Sequence, residues 1–508
     1  GQSSLQKTPS TEHDAGADRP PPKDEPRSVQ KILCMLAAVC ALEGADAMLL
    51  PVVFHAIEND LGLSPSNLAT MSLAQAALQA NAAPAWGIAA DRALLTRRSI
   101  LAIGCIGWGL VTLALAAVQS FSAMIILRAL NGCMLACLSP VSQGIIADIV
   151  PEERRGKVFG IIDFSLLLGM MLASLLATPM SEKTVIGMQG WRLAFCLVGM
   201  ASVLVGALIN IYMEDPPQEA KMDSTSSKSL GFFALLCIEA RKLVKYFKIP
   251  SFNVIILQGM FGSVPWNALG FMTMYFQLAG LSDGQAAVLT TVMLGACAVG
   301  HPFGGFVADK FAKRCPNHGR AFAAQISVSC GIPFVVLIFW GIRPRPSIFF
   351  VYIVLFVLFG LTATWCGSGV NRPILSEIVD ANNRCTLMAW DRALEGSAAA
   401  IFGAPAVGFL AETLFDYKVN GATLQSKVRT PEEDMHNSRA LGHSLLAATV
   451  GPWLICFLFY TFLHWTYPRD MRLLAAERAK NGVTSPERTG ILCAAAAADF
   501  RSGTTKGP

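Results

Sequence analysis

The sequence predicts an all-α membrane protein, with twelve transmembrane helices in two pseudo-symmetric six-helix bundles. Three observations carry that expectation. The 508 residues are 53% hydrophobic and only 15% charged, with mean hydropathy +0.48, whereas soluble domains are typically about 25% charged. The chain holds twelve apolar runs, each near the roughly 20 residues that cross a bilayer. The polar stretch Gly87-Ile-Ala-Ala-Asp91-Arg92, followed by Arg97-Arg98, returns 218 positions later as Gly305-Phe-Val-Ala-Asp309-Lys310, followed by Lys313-Arg314. A loop that recurs together with its flanks marks an internal repeat, here too long for a solenoid, and points to two homologous halves.

In chain order, residues 1–30 are rich in Pro, Asp, Lys and Ser and read as a disordered cytoplasmic N-terminus. The first six runs fall at about 31–54, 66–90, 99–118, 121–149, 155–180 and 191–212, so a first bundle is expected over 31–213. A polar linker spans 214–250. Within it, Ser229 to Lys248 reads either as an interfacial helix, with Leu236, Ala240, Leu243 and Phe247 on one side and Arg241, Lys242, Lys245 and Lys248 toward headgroups, or as a solvated tether. The second six runs, at about 251–278, 282–308, 320–341, 347–379, 384–415 and 444–466, give a second bundle over 251–467, followed by a cytoplasmic tail over 468–508.

Orientation follows from basic residues in the short loops. With the N-terminus cytoplasmic, the inner short loops hold eleven: Arg92, Arg97, Arg98, Arg154, Arg155, Lys157, Lys310, Lys313, Arg314, Arg320 and Arg384. The outer short loops hold four: Lys183, Arg192, Arg343 and Arg345. Both termini are therefore expected on the cytoplasmic side.

The net charge of +5 is too small to argue for nucleic acid, and no basic run with interleaved aromatics appears. The 14 cysteines form no framework: Cys34, Cys40, Cys133, Cys137 and Cys366 lie inside apolar runs, where a thiol is a small packing residue. No CxxC pair offers metal spacing, and no metal or cofactor is expected. The seven histidines sit singly, without the His-acid or Gly-x-Ser-x-Gly settings that an integral-membrane lipid-modifying enzyme would need. Two homologous apolar halves are a pattern known in transporters, with a non-transporting sensor as the alternative. A monomer in the bilayer is expected, with a small molecule or lipid, and protons, as partners.

Ionisable groups inside the apolar runs mark where function concentrates. Each costs a few kcal/mol at mid-depth unless paired or hydrated. Glu43 lies about 16 Å along the first run at ~1.5 Å per residue, near the midplane, and Asp46 follows three positions on. Two carboxylates this close in a low dielectric do not both ionise freely, which is the physical requirement for a proton-coupling site. Arg128 in the fourth run is the available counter-charge or anion ligand. Asp163 in the fifth run and Asp391, Arg392 and Glu395 in the eleventh form a second group, near the inner third. Asp163 and Arg392 match under an offset of 229, which suggests an inter-bundle pair that breaks and reforms; the alternative is a static pair tying helices together. The seventh run is interrupted by Gly and Pro and carries Gln258, Trp266, Asn267 and Tyr275. Broken helices with amides and aromatics suit the wall of a substrate cavity.

The loop motif resembles the signature of the major facilitator superfamily. The resemblance covers about 31–467 and is supported in the fourth run by Arg128-Ala-Leu-Asn131-Gly132. It implies the major facilitator fold and a loop that locks one state by pairing across the bundles, a role that falls here to Asp91, Arg92 and Arg98. Gly87 is expected to let helices approach closely, and Gly305, Asp309 and Lys310 form the second copy. More narrowly, Leu61-Gly-Leu-Ser-Pro, Gly280-Leu281-Ser-Asp-Gly-Gln285 and Gly319-Arg320-x-x-x-Ala-Gln325 are similar to the spinster branch. That branch implies alternating access for an amphipathic solute such as a lysolipid or sphingoid phosphate, plausibly as a proton symporter. A facilitator for a small organic anion or sugar is the alternative.

Overall fold

The computed structural model of the chain describes residues 27–91, 95–150, 152–185, 187–214, 241, 244–378, 384–419 and 430–480. Twelve crossing segments follow in order. The first six are α1 (Arg27–Val52), α2 (Pro65–Asp91), α3 (Arg97–Ala117), α4 (Phe121–Leu135, resumed as Leu138–Ile149), α5 (Glu152–Ser181) and α6 (Gly190–Tyr212). The second six are α7 (Pro250–Ala268, resumed as Met272–Leu278), α8 (Asp283–Arg314), α9 (Gly319–Val336), α10 (Phe349–Thr362, resumed as Arg372–Ile378), α11 (Arg384–Phe402, resumed as Ala404–Thr413) and α12 (Pro431–Lys480). Among the described residues, ten helices are long and apolar enough to cross a membrane, and Pro346–Thr362 is a shorter apolar one. The remaining crossing, α2, carries Asn67, Gln75, Gln79 and Asn81, amides that lower its hydropathy.

The two halves pack alike. In the first, α1 lies on α5, α2 on α4 and α3 on α6; in the second, α7 lies on α11, α8 on α10 and α9 on α12. The halves meet where α5 packs on α8 and α2 on α11. The helix interruptions repeat as well. α1 ends at Val52, before the short helix Phe54–Leu61, and adding 218 to Val53 gives Phe271, in the 3-10 turn Leu269–Phe271 that breaks α7. α4 breaks at Ala136 and Cys137, because Pro140 offers no N–H to residue 136 and its ring crowds that carbonyl. Adding 229 to Cys137 gives Cys366, the start of the π-helical turn Cys366–Asn371 in α10.

Glycines set the close helix approaches, though not the one expected. A Cβ on Gly44 would stand 1.9 Å from Leu166 O and one on Gly169 1.8 Å from Ala41 O, so α1 and α5 touch backbone to backbone. Gly132 on α4 approaches Gln75 O of α2 in the same way. Gly87, expected to serve such an approach, does not: a Cβ there, or on Gly305, would meet nothing within 4 Å. Helix starts are chemically marked. Ser282 and Gln285 form a capping box on α8. On α12, Thr430 N–H donates to Glu433 Oε2 (2.9 Å) while Glu433 N–H donates to Thr430 Oγ1 (3.3 Å). That box starts α12 at Pro431, thirteen residues before the apolar run at 444, so the second half of the expected outer loop is helical. Most of the linker expected to hold an interfacial helix, and Arg92 of the signature loop, lie outside the described residues.

Candidate functional site

The two ends of the molecule are held differently. At the end away from the Gly87–Arg98 loop, the bundles are joined. Glu412 Oε1 of α11 accepts the backbone N–H of Ser66 at the start of α2 (2.7 Å). Tyr417 OH donates to the buried Glu58, 2.9 and 3.0 Å from its two carboxylate oxygens. Phe54 stacks obliquely on Phe271, ring centroids 4.7 Å apart. Further in, Ser174 Oγ of α5 donates to Ala287 O of α8 (3.3 Å). Toward the loop end, Ile161, Asp163 and Phe164 on α5, His301, Phe303 and Phe306 on α8, and Arg392 on α11 are exposed. The ion pairs shown at this end stay within one bundle, Arg97 with Asp148, and Arg320 with both Asp309 (3.2 Å) and Glu377 (3.6 Å).

Between the ends, the first bundle holds a buried polar network centred on Asp46, which is fully buried. Asp46 Oδ2 accepts from Gln75 Nε2 (3.0 Å). Its Oδ1 accepts from Trp108 Nε1 (3.0 Å) and Asn131 Nδ2 (3.4 Å), and Thr112 Oγ1, which gives its proton to Trp108 O (3.0 Å), accepts from Asn131 Nδ2 (3.0 Å). Gln75 Nε2 also donates to Asn131 Oδ1 (2.9 Å), and Arg128 donates to Gln75 Oε1. One amide thus bridges the carboxylate of α1 to the guanidinium of α4. Arg128 is 1% exposed, and among the described residues its Nε and Nη1 have no hydrogen-bond partner. Leaving the N–H groups of a buried guanidinium without acceptors is costly. Local sequence explains the placement: Arg128 and Asn131 are three apart and share a face of α4, and the glycine at 132 lets α4 close on α2.

Glu43 and Asp46, expected to act as a pair, have different hydrogen-bond surroundings. Asp46 is held inside the first bundle, whereas Glu43 makes no hydrogen bond shown and feels Arg392 of α11 as well as Asp46. Asp163 and Arg392 are both exposed and not paired in this structure. Beside Arg392, Asp391 is 8% exposed with Oδ1 lacking a partner. Glu395, one turn on, lies against α7 so closely that a Cβ on Gly259 would stand 1.8 Å from its Oε1.

The residues expected on α7 separate in the same way. Gln258 is buried against α12, donating to Ile255 O (2.8 Å), and Tyr275 is buried with its OH donating to Ile338 O (3.3 Å). Both are committed to packing within the second bundle. Trp266 is 36% exposed beside Phe359 and Trp453 (centroids 5.8 and 6.1 Å), and Asn267 is exposed too. Phe359 and Trp453 are themselves buried, so of these three aromatics Trp266 is the exposed one. Gln75, Trp108, Thr112 and Asn131 are the network members that sequence reasoning did not assign a role; amides at mid-run are the signal that marks two of them. The side chain of Asp91 lies outside the described residues, and Arg98 Nη1 donates to Met213 O (3.4 Å) at the end of α6.

The Major Facilitator Superfamily model matches residues 36–404. The chain is 26% identical over 393 residues to the cis,cis-muconate transport protein of Acinetobacter baylyi, covering 75% of this chain and 87% of that protein. It is 22% identical over 333 residues to the hexuronate transporter of Bacillus subtilis, covering 64% and 74%. Among solved structures, it is similar to a bacterial homologue of the human lysosomal transporter Spinster in an inward-facing, unoccupied conformation. There the TM-score is 0.71 at 19% identity, over 87% of this chain and 98% of that one. A D-xylose-proton symporter is similar at TM-score 0.59 and 16% identity, over 84% and 97%.

Proposed function

The chain belongs to the Major Facilitator Superfamily, an integral multi-pass transporter and not an enzyme, and from that premise we propose what it moves and how. The solute is an amphipathic organic anion, of the kind a lysophospholipid or a sphingoid phosphate represents, carried by alternating access and coupled to protons. The observation that carries this reading is the Asp46–Gln75–Arg128 network, with two guanidinium positions that have no partner among the described residues, together with the exposed Trp266 of the second bundle. A solute with an anionic head and an apolar body matches that division. Asp46 exchanges the proton and Arg128 holds the head, while Trp266 and Asn267 meet the body and Glu43 communicates the first bundle's charge state to Arg392. With the basic loop end cytoplasmic, as the count of basic residues favours, both termini are cytoplasmic and the conformation is inward-facing. The signature loops, Gly87 to Arg98 and Gly305 to Lys310, then close the inner side in the opposite state.

Currents on a solid-supported membrane, recorded for lysolipids, sphingoid phosphates, dicarboxylates and sugars with and without a pH gradient, test the assignment. Glu43→Gln is expected to abolish the pH dependence while the protein still folds; normal transport by this variant across a pH series would remove Glu43 from the coupling. The second reading, a small organic anion or sugar as solute, is favoured by similarity to the muconate and hexuronate transporters. It gains if dicarboxylates or sugars give current and lysolipids neither do so nor compete.

A further inference from the structure

Outside the central site, the loop end of the second bundle carries a cleft between α9 and α12. It is lined by Asn317, His318, His464, Trp465, Arg469 and Leu473, among others. Its chemistry can be read from a fixed chain of hydrogen bonds. Thr461 Oγ1 gives its proton to Phe457 O (3.2 Å), so toward Gln325 it accepts, from Nε2 at 3.0 Å. The amide of Gln325 is thereby oriented with Oε1 facing His464 Nε2 (3.1 Å), which must carry the hydrogen. A neutral His464 then has a bare Nδ1, and the contact with His318 Nδ1 at 3.1 Å requires the hydrogen on His318. What remains is His318 Nε2, the basic nitrogen of an exposed ring at the cleft, whose protonation would add a donor there.

The surface beside the cleft indicates what lies against it. Phe462, Trp465, Arg469 and Arg472 follow one another along a single stripe of α12. Phe462 is 52% and Trp465 65% exposed, with Phe322 of α9 exposed beside them, and past them the stripe turns basic. An exposed aromatic belt giving way to arginine within two turns is the pattern of a helix leaving hydrocarbon for headgroups. Lys313 and Arg314, exposed at the end of α8, precede His318 in the chain. An anion arriving from water would have no use for the aromatic side of this surface, whereas a phospholipid would cover both.

We propose that this cleft binds the phosphate of an anionic phospholipid, held by His318 Nε2 and Arg469, with an acyl chain along Trp465 and Phe462. The site is separate from the transport pathway and does not depend on which solute the protein carries. Native mass spectrometry of the full chain, released from vesicles containing phosphatidylglycerol and phosphatidylcholine, tests it. The expected result is retention of phosphatidylglycerol in preference to phosphatidylcholine. Arg469→Gln lowers that retention about fivefold, the factor one basic side chain contributes near an anionic surface, and His318→Ala lowers it as well. Arg439→Gln, which removes an exposed charge from the other end of α12, leaves it unchanged. Retention of phosphatidylglycerol by Arg469→Gln and His318→Ala at the wild-type level overturns the proposal. Displacement of the lipid by millimolar inorganic phosphate overturns it too, since the cleft would then be reading a free anion.

Discussion

Glu412→Ala is the perturbation that tests most directly how the two bundles are held together. Pro65 opens α2 and has no N–H, so Ser66 presents the first free donor of that helix, and the carboxylate that receives it comes from the opposite bundle at 2.7 Å. A hydrogen bond to a charged group contributes about 1.5–3 kcal/mol, and an anion at a helix N-terminus roughly 0.3–1 kcal/mol more at an exposed site. Glu412 is only partly buried, so solvent screening reduces the sum to about 1–2 kcal/mol. At ~1.4 kcal/mol per tenfold, removing it moves the population of the joined far end by about five- to thirtyfold. Glu412→Gln, which keeps an acceptor but loses the charge, moves it by less. Spin labels at Lys183 and Lys418, exposed on the first and second halves at this end, report the separation by pulsed EPR in a background without reactive cysteines. The expected outcome is a new long-distance component, larger for Ala than for Gln. A distance distribution in Glu412→Ala no different from that of Glu432→Ala, an exposed acid at the start of α12, would refute the idea that this contact holds the far end shut.

Three further outcomes follow from other contacts. Asp46→Asn, which imitates the protonated carboxylate, is expected to keep solute counterflow while losing stimulation by a pH gradient; equal stimulation in variant and wild type would remove Asp46 from the proton path. Gly169→Ala drives a methyl to 1.8 Å from Ala41 O and is expected to prevent stable insertion. Gly87→Ala meets nothing within 4 Å, so its unfolding midpoint should match wild type, and any loss of transport would belong to the opposite state; fluorescence-detected size exclusion with heating separates the two variants. Finally, the hydrogen bond from His55 holds the Glu182 carboxyl below the usual glutamate range, more than burial raises it, with the His55 charge and Asn59 acting in the same sense as the bond. A depressed folded-state value means that Glu182 contributes stability above the ordinary glutamate range and loses it as pH falls through the folded value. His55→Ala should therefore flatten the acid limb of a stability-pH profile, and an unaltered limb would show that the bond adds nothing.

The fold was legible because its determinants are periodic and local. Twelve apolar runs are set by bilayer thickness, and the 218-residue recurrence survives even in the helix interruptions, at Val53 with Phe271. The start of α12 was missed because hydropathy does not register the capping box of Thr430 and Glu433, although Thr-Pro-Glu-Glu before a helical pattern is a readable start signal. The site was legible only in part. Burial cost singled out Asp46 and Arg128, since a charge within a run needs a reason. It could not single out Gln75, which joins them, because an amide costs far less than a charge and does not declare its partner. Glu58 and Glu412 escaped for the opposite reason: they stand at run ends, where acids are ordinary, and their importance comes from contacts 359 and 346 residues away in the chain.

The different partners of Glu43 and Asp46 bear on how proton binding can be communicated. Had the two carboxylates formed one site, neutralising either would have been felt only within α1. Instead Asp46 is fixed by three donors of the first bundle, while Glu43, three residues along the same rigid helix, feels the guanidinium of α11 across the interface. Neutralising Asp46 releases Arg128 from its counter-charge and alters the field at Glu43, and hence its attraction to Arg392, without any movement of α1. A link of that kind predicts a specific non-additivity. Asp46→Asn and Arg392→Gln, on different bundles and not bonded to each other, should show a coupling energy in the pH dependence of counterflow, of the 0.5–3 kcal/mol order found for residues in one network. The same cycle in a Glu43→Gln background should lose that coupling. Additive effects with Glu43 intact would mean that the two bundles sense protons independently, and that α1 carries no electrostatic message between them.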